Sequence, residues 1–117
     1  MGTEDRPVDV LQVVTTTGRR GAEVFAHALH PELERRGLSV RTVALVPGVE
    51  PTLPLASLGH RRLGWATLHA LRREARRASV VIAHGSTTLP ASAAATLLTG
   101  VPFVYRNIGD PFFWSTT

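Results

Sequence analysis

Three short segments of this 117-residue chain hold the residue types that bind or activate a ligand. The first is Thr15-Thr16-Thr17-Gly18-Arg19-Arg20-Gly21-Ala22-Glu23. Its glycines allow a close backbone approach, and a helix starting there offers unpaired N–H groups to an anion such as a phosphate. The segment matches neither the GxGxxG dinucleotide fingerprint nor the lysine-bearing P-loop, so a turn that needs two glycines is the plainer reading. The second is His84-Gly85-Ser86 and the third is Arg106-Asn107-Ile108-Gly109-Asp110. Together they hold an imidazole, a guanidinium, an amide and a carboxylate. Singly, each has a structural explanation: His84 as a capping or core histidine, Arg106 as a surface residue, Asp110 before Pro111 as a turn opener. Ser86 does not sit in a GxSxG elbow, and His27, His30, His60, His69 and His84 have no zinc-site spacing.

What gives the three segments joint meaning is the set of elements that must carry them. Val10-Leu11-Gln12-Val13-Val14 is an apolar run ending in a threonine and glycine loop, the pattern of a buried strand. Ala22, Phe25, Ala26, Leu29 and Leu33 then fall on one helical face, and Gly37 stands at the helix stop. Pro31 falls inside that helix, which predicts a kink near His30 or two short helices. Ser39 to Val46 reads as a second strand, followed by a loop from Pro47-Gly48 to Pro54. Arg61 to Ala78 reads as a second helix and Val80 to Ala83 as a third strand. Thr87 or Thr88 caps a third helix, with Pro90 in its first turn and Gly100 beyond its end, and Pro102 to Tyr105 is a fourth strand. The alternation β-α-β-α-β-α-β predicts an α/β fold, a Rossmann-like parallel sheet of four β-α units. In such a sheet all three segments lie at the carboxyl edge, where ligands bind.

Composition bounds the rest. Residues 1–8 read as a flexible tail and 9–117 as the sheet domain. No stretch approaches the ~20 apolar residues of a membrane span, and the first residues lack the order of a signal peptide. With no cysteine there is neither a disulfide framework nor a thiolate metal site. A cytoplasmic location is the default expectation. All 13 basic residues are arginine, which fits coding bias in a GC-rich genome. The last residues, Trp114-Ser115-Thr116-Thr117, fall in the loop after the fourth strand, so the chain is expected to be the front part of something larger, and marginally stable alone.

The second helix has a basic face. At about 100° per residue, Arg61, Arg62, His69, Arg72, Arg73, Arg76 and Arg77 occupy one half, and Leu68, Leu71, Ala75 and Ala78 the other. Trp65 projects from the basic side, an arrangement suited to an anionic lipid surface. A plain solvated face and a nucleic-acid contact are the other readings.

Gly18-Arg19-Arg20-Gly21-Ala22-Glu23-Val24-Phe25, with Arg36-Gly37-Leu38-Ser39-Val40 behind it, resembles the "GGAE…L…L..RGHEV" opening of GT-B-fold glycosyltransferases of family 4. Ser79-Val80-Val81-Ile82-Ala83-His84-Gly85 resembles the family's "DVVHAHG" strand, and Gly100-Val101-Pro102-Phe103-Val104-Tyr105 its "GVPVVYT" strand. The three motifs stand in the family's order and span roughly residues 10 to 110. The resemblance implies the amino-terminal, acceptor-side domain of an enzyme that moves a sugar from a nucleotide sugar to a glycan or lipid-linked acceptor. It implies no bound metal or other cofactor, and no nucleic acid. The carboxy-terminal domain, with its E-x7-E glutamates for the donor, is absent, so the chain alone is expected to be inactive. Residues 18–23 would form the loop near donor phosphates and acceptor. His84 and Gly85 would line the acceptor cleft, with Arg106, Asn107 and Asp110 as candidate contacts. The family often has a histidine after the fourth strand, and this chain has none there. Arg20 replaces a glycine of the usual pair, where it could grip a phosphate or crowd the loop. Relatives that act on lipid-linked acceptors add a peripheral site at the inner membrane face to the expectations, through Arg61, Arg62, Trp65, Arg72, Arg73 and Arg76.

Other classes stay open. A receiver-like binding module would need an acidic cluster after the first strand and an aspartate after the third, where Thr15-Thr16-Thr17 and His84 stand. A nucleic-acid-binding fragment would show steeply salt-dependent binding. An NAD-dependent dehydrogenase would need an acidic residue after the second strand, where Pro47-Gly48 stands.

Overall fold

A computed structural model describes residues 7–18, 21–48, 53–61, 63–85, 88–97 and 99–106. In chain order the elements are β1 (Val8–Thr16), α1 (Gly21–Arg35), β2 (Val40–Val46), β3 (Ala56–Ser57), α2 (Trp65–Arg76), β4 (Ala78–His84), α3 (Leu89–Thr96) and β5 (Phe103–Arg106). Among the described residues the fold is α/β, an all-parallel five-stranded sheet in the order β3-β2-β1-β4-β5 with three helices, consistent with a Rossmann-like domain. The four predicted strands and three helices are all present. The fifth strand, β3, is a two-residue addition that pairs only Val43 with Ala56 and Ala44 with Ser57.

β1 is central, pairing β2 from Val10↔Val40 to Thr16↔Val46 and β4 from Val8↔Ala78 to Val13↔Ala83. Period-two alternation divides its side chains between two layers. Leu11 and Val13 pack with Val43, Leu45 and Val81 against Leu71 and Ala75 of α2 and Ala91 and Ala95 of α3. Val14 and Ala44 pack on the opposite face against Ala26 of α1. The first crossover therefore lies on one face of the sheet and the later two on the other, and the connectivity reverses between β1 and β4. In open parallel sheets such a reversal is where a ligand crevice forms, at the carboxyl ends of the two strands.

Several boundaries differ from expectation for identifiable reasons. α1 is one helix through Pro31, not two. Pro31 is on the exposed side, where solvent can take up the His27 carbonyl that loses its amide partner. Phe25, predicted to face inward, is 42% exposed, and the buried residues of α1 are Glu23 and Ala26. α2 begins at Trp65, because Gly64 before it is extended (φ −67°, ψ 153°), so Arg61 precedes the helix. Arg62 lies outside the described residues. Ala78 opens β4, and the inward line of α2 is Thr67, Leu71 and Ala75, spaced by four. Arg41 of β2 ties the sheet to α2, its Nε donating to both carboxylate oxygens of Glu74 at 2.9 Å.

Candidate functional site

The crevice is built from the ends of β1, β4 and β5 and the start of α1. After β1 the chain turns tightly: the Thr16 hydroxyl accepts from Gly18 N at 3.0 Å, and the Thr17 hydroxyl accepts from Gly48 N at 2.8 Å. Gly48 passes so close to Gly18 that a Cβ on it would collide with the Gly18 backbone. The loops after β1 and β2 are thus zipped together at the rim, which fixes where the backbone turns into α1. Arg19 and Arg20 lie outside the described residues.

Glu23 belongs to the first turn of α1, where the helix dipole favours a carboxylate. It is buried, and its Oε2 accepts from the Thr16 backbone N–H at 3.2 Å. Its role in this structure is to finish β1 and seat α1 on it. Ala22 comes near Gly85 at the end of β4, and Gly85 turns the chain there with φ +88°. Gly18, the first turn of α1 with Ala22 and Glu23, and Gly85 therefore come together at this end of the sheet.

His84 is fully buried at the last position of β4. It faces the same side of the sheet as Gln12 of β1, and its Nε2 lies 2.8 Å from Gln12 Oε1. Gln12 Nε2 donates at 2.9 Å both to the Ala26 carbonyl of α1 and to the Thr42 hydroxyl of β2. Thr42 Oγ1 continues to His30 Nδ1 at 2.8 Å, and His30 Nε2 is 3.6 Å from Glu34 Oε2. A line of polar groups thus crosses the sheet beneath α1, from the crevice to the outer flank of the helix.

Arg106, the last residue of β5, is the cross-strand partner of His84. Its guanidinium carbon lies 3.6 Å over the centroid of the Phe25 ring, a cation–π contact, and the same ring is 6.1 Å from that of His84. Burial, reinforced by the Arg106 charge, lowers the His84 pKa from 6.5 to about 4, so the imidazole is neutral at pH 7. Two polar atoms in this cluster, His84 Nδ1 and Arg106 Nη1, are buried without a hydrogen-bond partner among the described residues. Asn107 and Asp110 lie outside the described residues.

Gln12, Phe25 and Thr42 went unrecognised in the sequence. The available signal was a lone amide within an apolar strand, since a buried polar side chain needs partners and points to others beside it.

A cavity of about 460 Å³ opens elsewhere, along the amino-terminal half of β2, between His27, His30, Pro31, Thr42, Leu55 and neighbouring residues. It is separate from the crevice, sharing with it only the Thr42 and His30 end of the polar line.

The basic face divides in the structure. Trp65 is 90% exposed and Leu63 55% exposed, and Arg61 before α2 and Arg73 and Arg76 further along it are exposed as well. Arg72 is not part of that surface in the way the helical wheel suggests. Its Nη1 donates to the Leu97 carbonyl at 2.8 Å and so caps the end of α3. Among the described residues no helix is long and apolar enough to cross a membrane, and no cluster of histidine and carboxylate side chains could hold a metal ion. Compared with known protein families and with curated proteins, the chain matches none.

Proposed function

We propose that this chain is the acceptor-side part of a nucleotide-sugar-dependent glycosyltransferase of the GT-B type, resembling family 4. The observation that carries the reading is convergence. The glycine loop before α1, the end of β4 and the end of β5 are the three segments on which the resemblance rests, and they meet at the switch point between β1 and β4. A neutral imidazole and a guanidinium stand side by side there. In open parallel sheets this is where ligands bind.

Chemically, this edge suits recognition better than acid–base catalysis. With a pKa of about 4, His84 is a weak base near neutral pH, and Glu23 is committed to the end of β1. The crevice would hold and orient an acceptor, with the donor sugar and the charge of its diphosphate left to a second domain. Titration of the 15N-labelled chain with a neutral glycoside tests this. The reading expects NMR shifts concentrated at Gly18, Glu23, His84, Gly85 and Arg106, and it fails if these residues stay unmoved.

A second contact is favoured by one observation, the Trp65 side chain almost wholly in solvent beside Leu63 and among arginines. An indole in this setting suits the interface of an anionic membrane. A peripheral location at the inner membrane face would bring a lipid-linked acceptor to the crevice.

A further inference from the structure

The protons around Gln12 can be placed by elimination. The Ala26 carbonyl can only accept, so the Gln12 group facing it must be the NH2, and the Thr42 hydroxyl accepts the second amide proton. The Gln12 carbonyl oxygen therefore faces His84. That oxygen has no proton to give, so His84 Nε2 must carry one. A neutral imidazole holds a single proton, which leaves Nδ1 bare. This atom, an acceptor in a fully buried side chain, has no partner among the described residues, and neither has the donor Nη1 of its cross-strand neighbour Arg106.

We propose that Gln12 is a positioning residue that holds His84 with Nδ1 bare, and that His84 Nδ1 and Arg106 Nη1 form a subsite for a neutral ligand hydroxyl. A hydroxyl donates to the first atom and accepts from the second, satisfying both. An ionised phosphate or carboxylate oxygen could take the Arg106 hydrogen bond but would set its lone pairs against the bare Nδ1. Phe25 lies over the Arg106 guanidinium and is 42% exposed, so displacement of its ring is the movement that admits the ligand. The ligand half of this inference rests on the reading of the crevice as an acceptor site. The placement of the proton does not.

The experiment is long-range 1H–15N NMR of the full chain with 15N-histidine at pH 7, repeated with methyl α-D-glucopyranoside and with inorganic phosphate. His84 is expected to show a protonated Nε2 and a bare Nδ1. A proton on Nδ1, or a mixture of the two forms, overturns the role of Gln12. The glucoside is expected to shift the Nδ1 resonance with the proton still on Nε2, and Arg106→Gln to weaken that binding about tenfold. An unmoved Nδ1, or an equal response to phosphate, overturns the hydroxyl subsite, while backbone amide shifts at Gly18, Glu23 and Gly85 in the same glucoside titration decide the acceptor reading separately, and the tautomer result stands apart from both. In Gln12→Leu a mixture of tautomers is expected. Should that variant not fold, the wild-type spectra decide both halves.

Discussion

Gln12 and His84, 72 residues apart in the chain, are joined side chain to side chain at 2.8 Å across the boundary between β1 and β4. The bond links the two strands at which the connectivity of the sheet reverses, so the polarity of the crevice is set by an amide inside the sheet. That amide is itself locked by α1 through the Ala26 carbonyl and by β2 through Thr42.

The first prediction concerns acid. Folding depresses the His84 pKa to about 4 from an unfolded value near 6.5, so the folded state resists a proton that the unfolded chain accepts. The stability this contributes is complete above pH 6.5 and is lost as pH falls toward 4, by on the order of 2–3 kcal/mol. Urea unfolding at pH 7, 5 and 4 should show that fall. In His84→Gln the slope across this window should be shallower.

The Arg41–Glu74 pair should matter more than a surface ion pair. Its side chains are 24% and 12% exposed, and one nitrogen serves both carboxylate oxygens. Glu74→Ala leaves a half-buried guanidinium uncompensated and should cost about 1–3 kcal/mol in chemical denaturation. Arg35 and Glu32 are also paired, but both are exposed, and Glu32→Ala should change stability by less than about 0.5 kcal/mol.

At the rim, Gly48→Ala should loosen the crevice as well as the fold. A methyl group there meets the Gly18 backbone, and neither strand end is free to withdraw, since Thr17 Oγ1 holds Gly48 N and Thr17 O holds Leu53 N. A loss of about 1–3 kcal/mol is expected, together with faster amide exchange at Gly18. Gly37→Ala, at φ +89° and in open space, should cost only about 1 kcal/mol and leave the Gly18 amide as it was.

On α2 the arginines should separate into two kinds. Vesicles rich in phosphatidylglycerol should blue-shift Trp65 emission in a Trp114→Phe background, and phosphatidylcholine vesicles should not. Arg73→Ala should weaken that binding with little effect on unfolding, each basic residue near an anionic surface being worth about 1 kcal/mol. Arg72→Ala should instead lower stability by about 1 kcal/mol, because it uncaps the Leu97 carbonyl. Equal behaviour of the two variants would contradict this division.

The alternation of strands and helices was legible because Val10–Val14, buried on both faces, and the apolar run Val80–Ala83 carry their own punctuation. The two-residue β3 was not, since Ala56-Ser57 has no pattern of its own and is a strand only because β2 lies beside it. Pro31 does not divide α1 in two, because it stands on the exposed side, where solvent can meet the carbonyl that loses its amide partner. His84, Gly85 and Arg106 could be found as candidates because strand ends in a parallel sheet share an edge. Gln12 could not be tied to them, because hydrogen-bond partners 72 residues apart leave no local trace. Helical period alone places Phe25 on the apolar face of α1, whereas its ring is half exposed and meets side chains of β4 and β5. Arg72 shows the converse error, an apparently solvated cation bound to the end of another helix.

The central claim, that this chain is the acceptor-side part of a sugar transferase, is tested most directly by reading the open frame beyond the codon for Thr117 and assaying the protein it encodes with labelled nucleotide sugars. The account predicts a second Rossmann-like unit with glutamates in an E-x7-E arrangement, and transfer to a hydroxyl acceptor that Arg106→Gln weakens. A frame that encodes no such unit, or a longer protein that transfers no sugar, would contradict it.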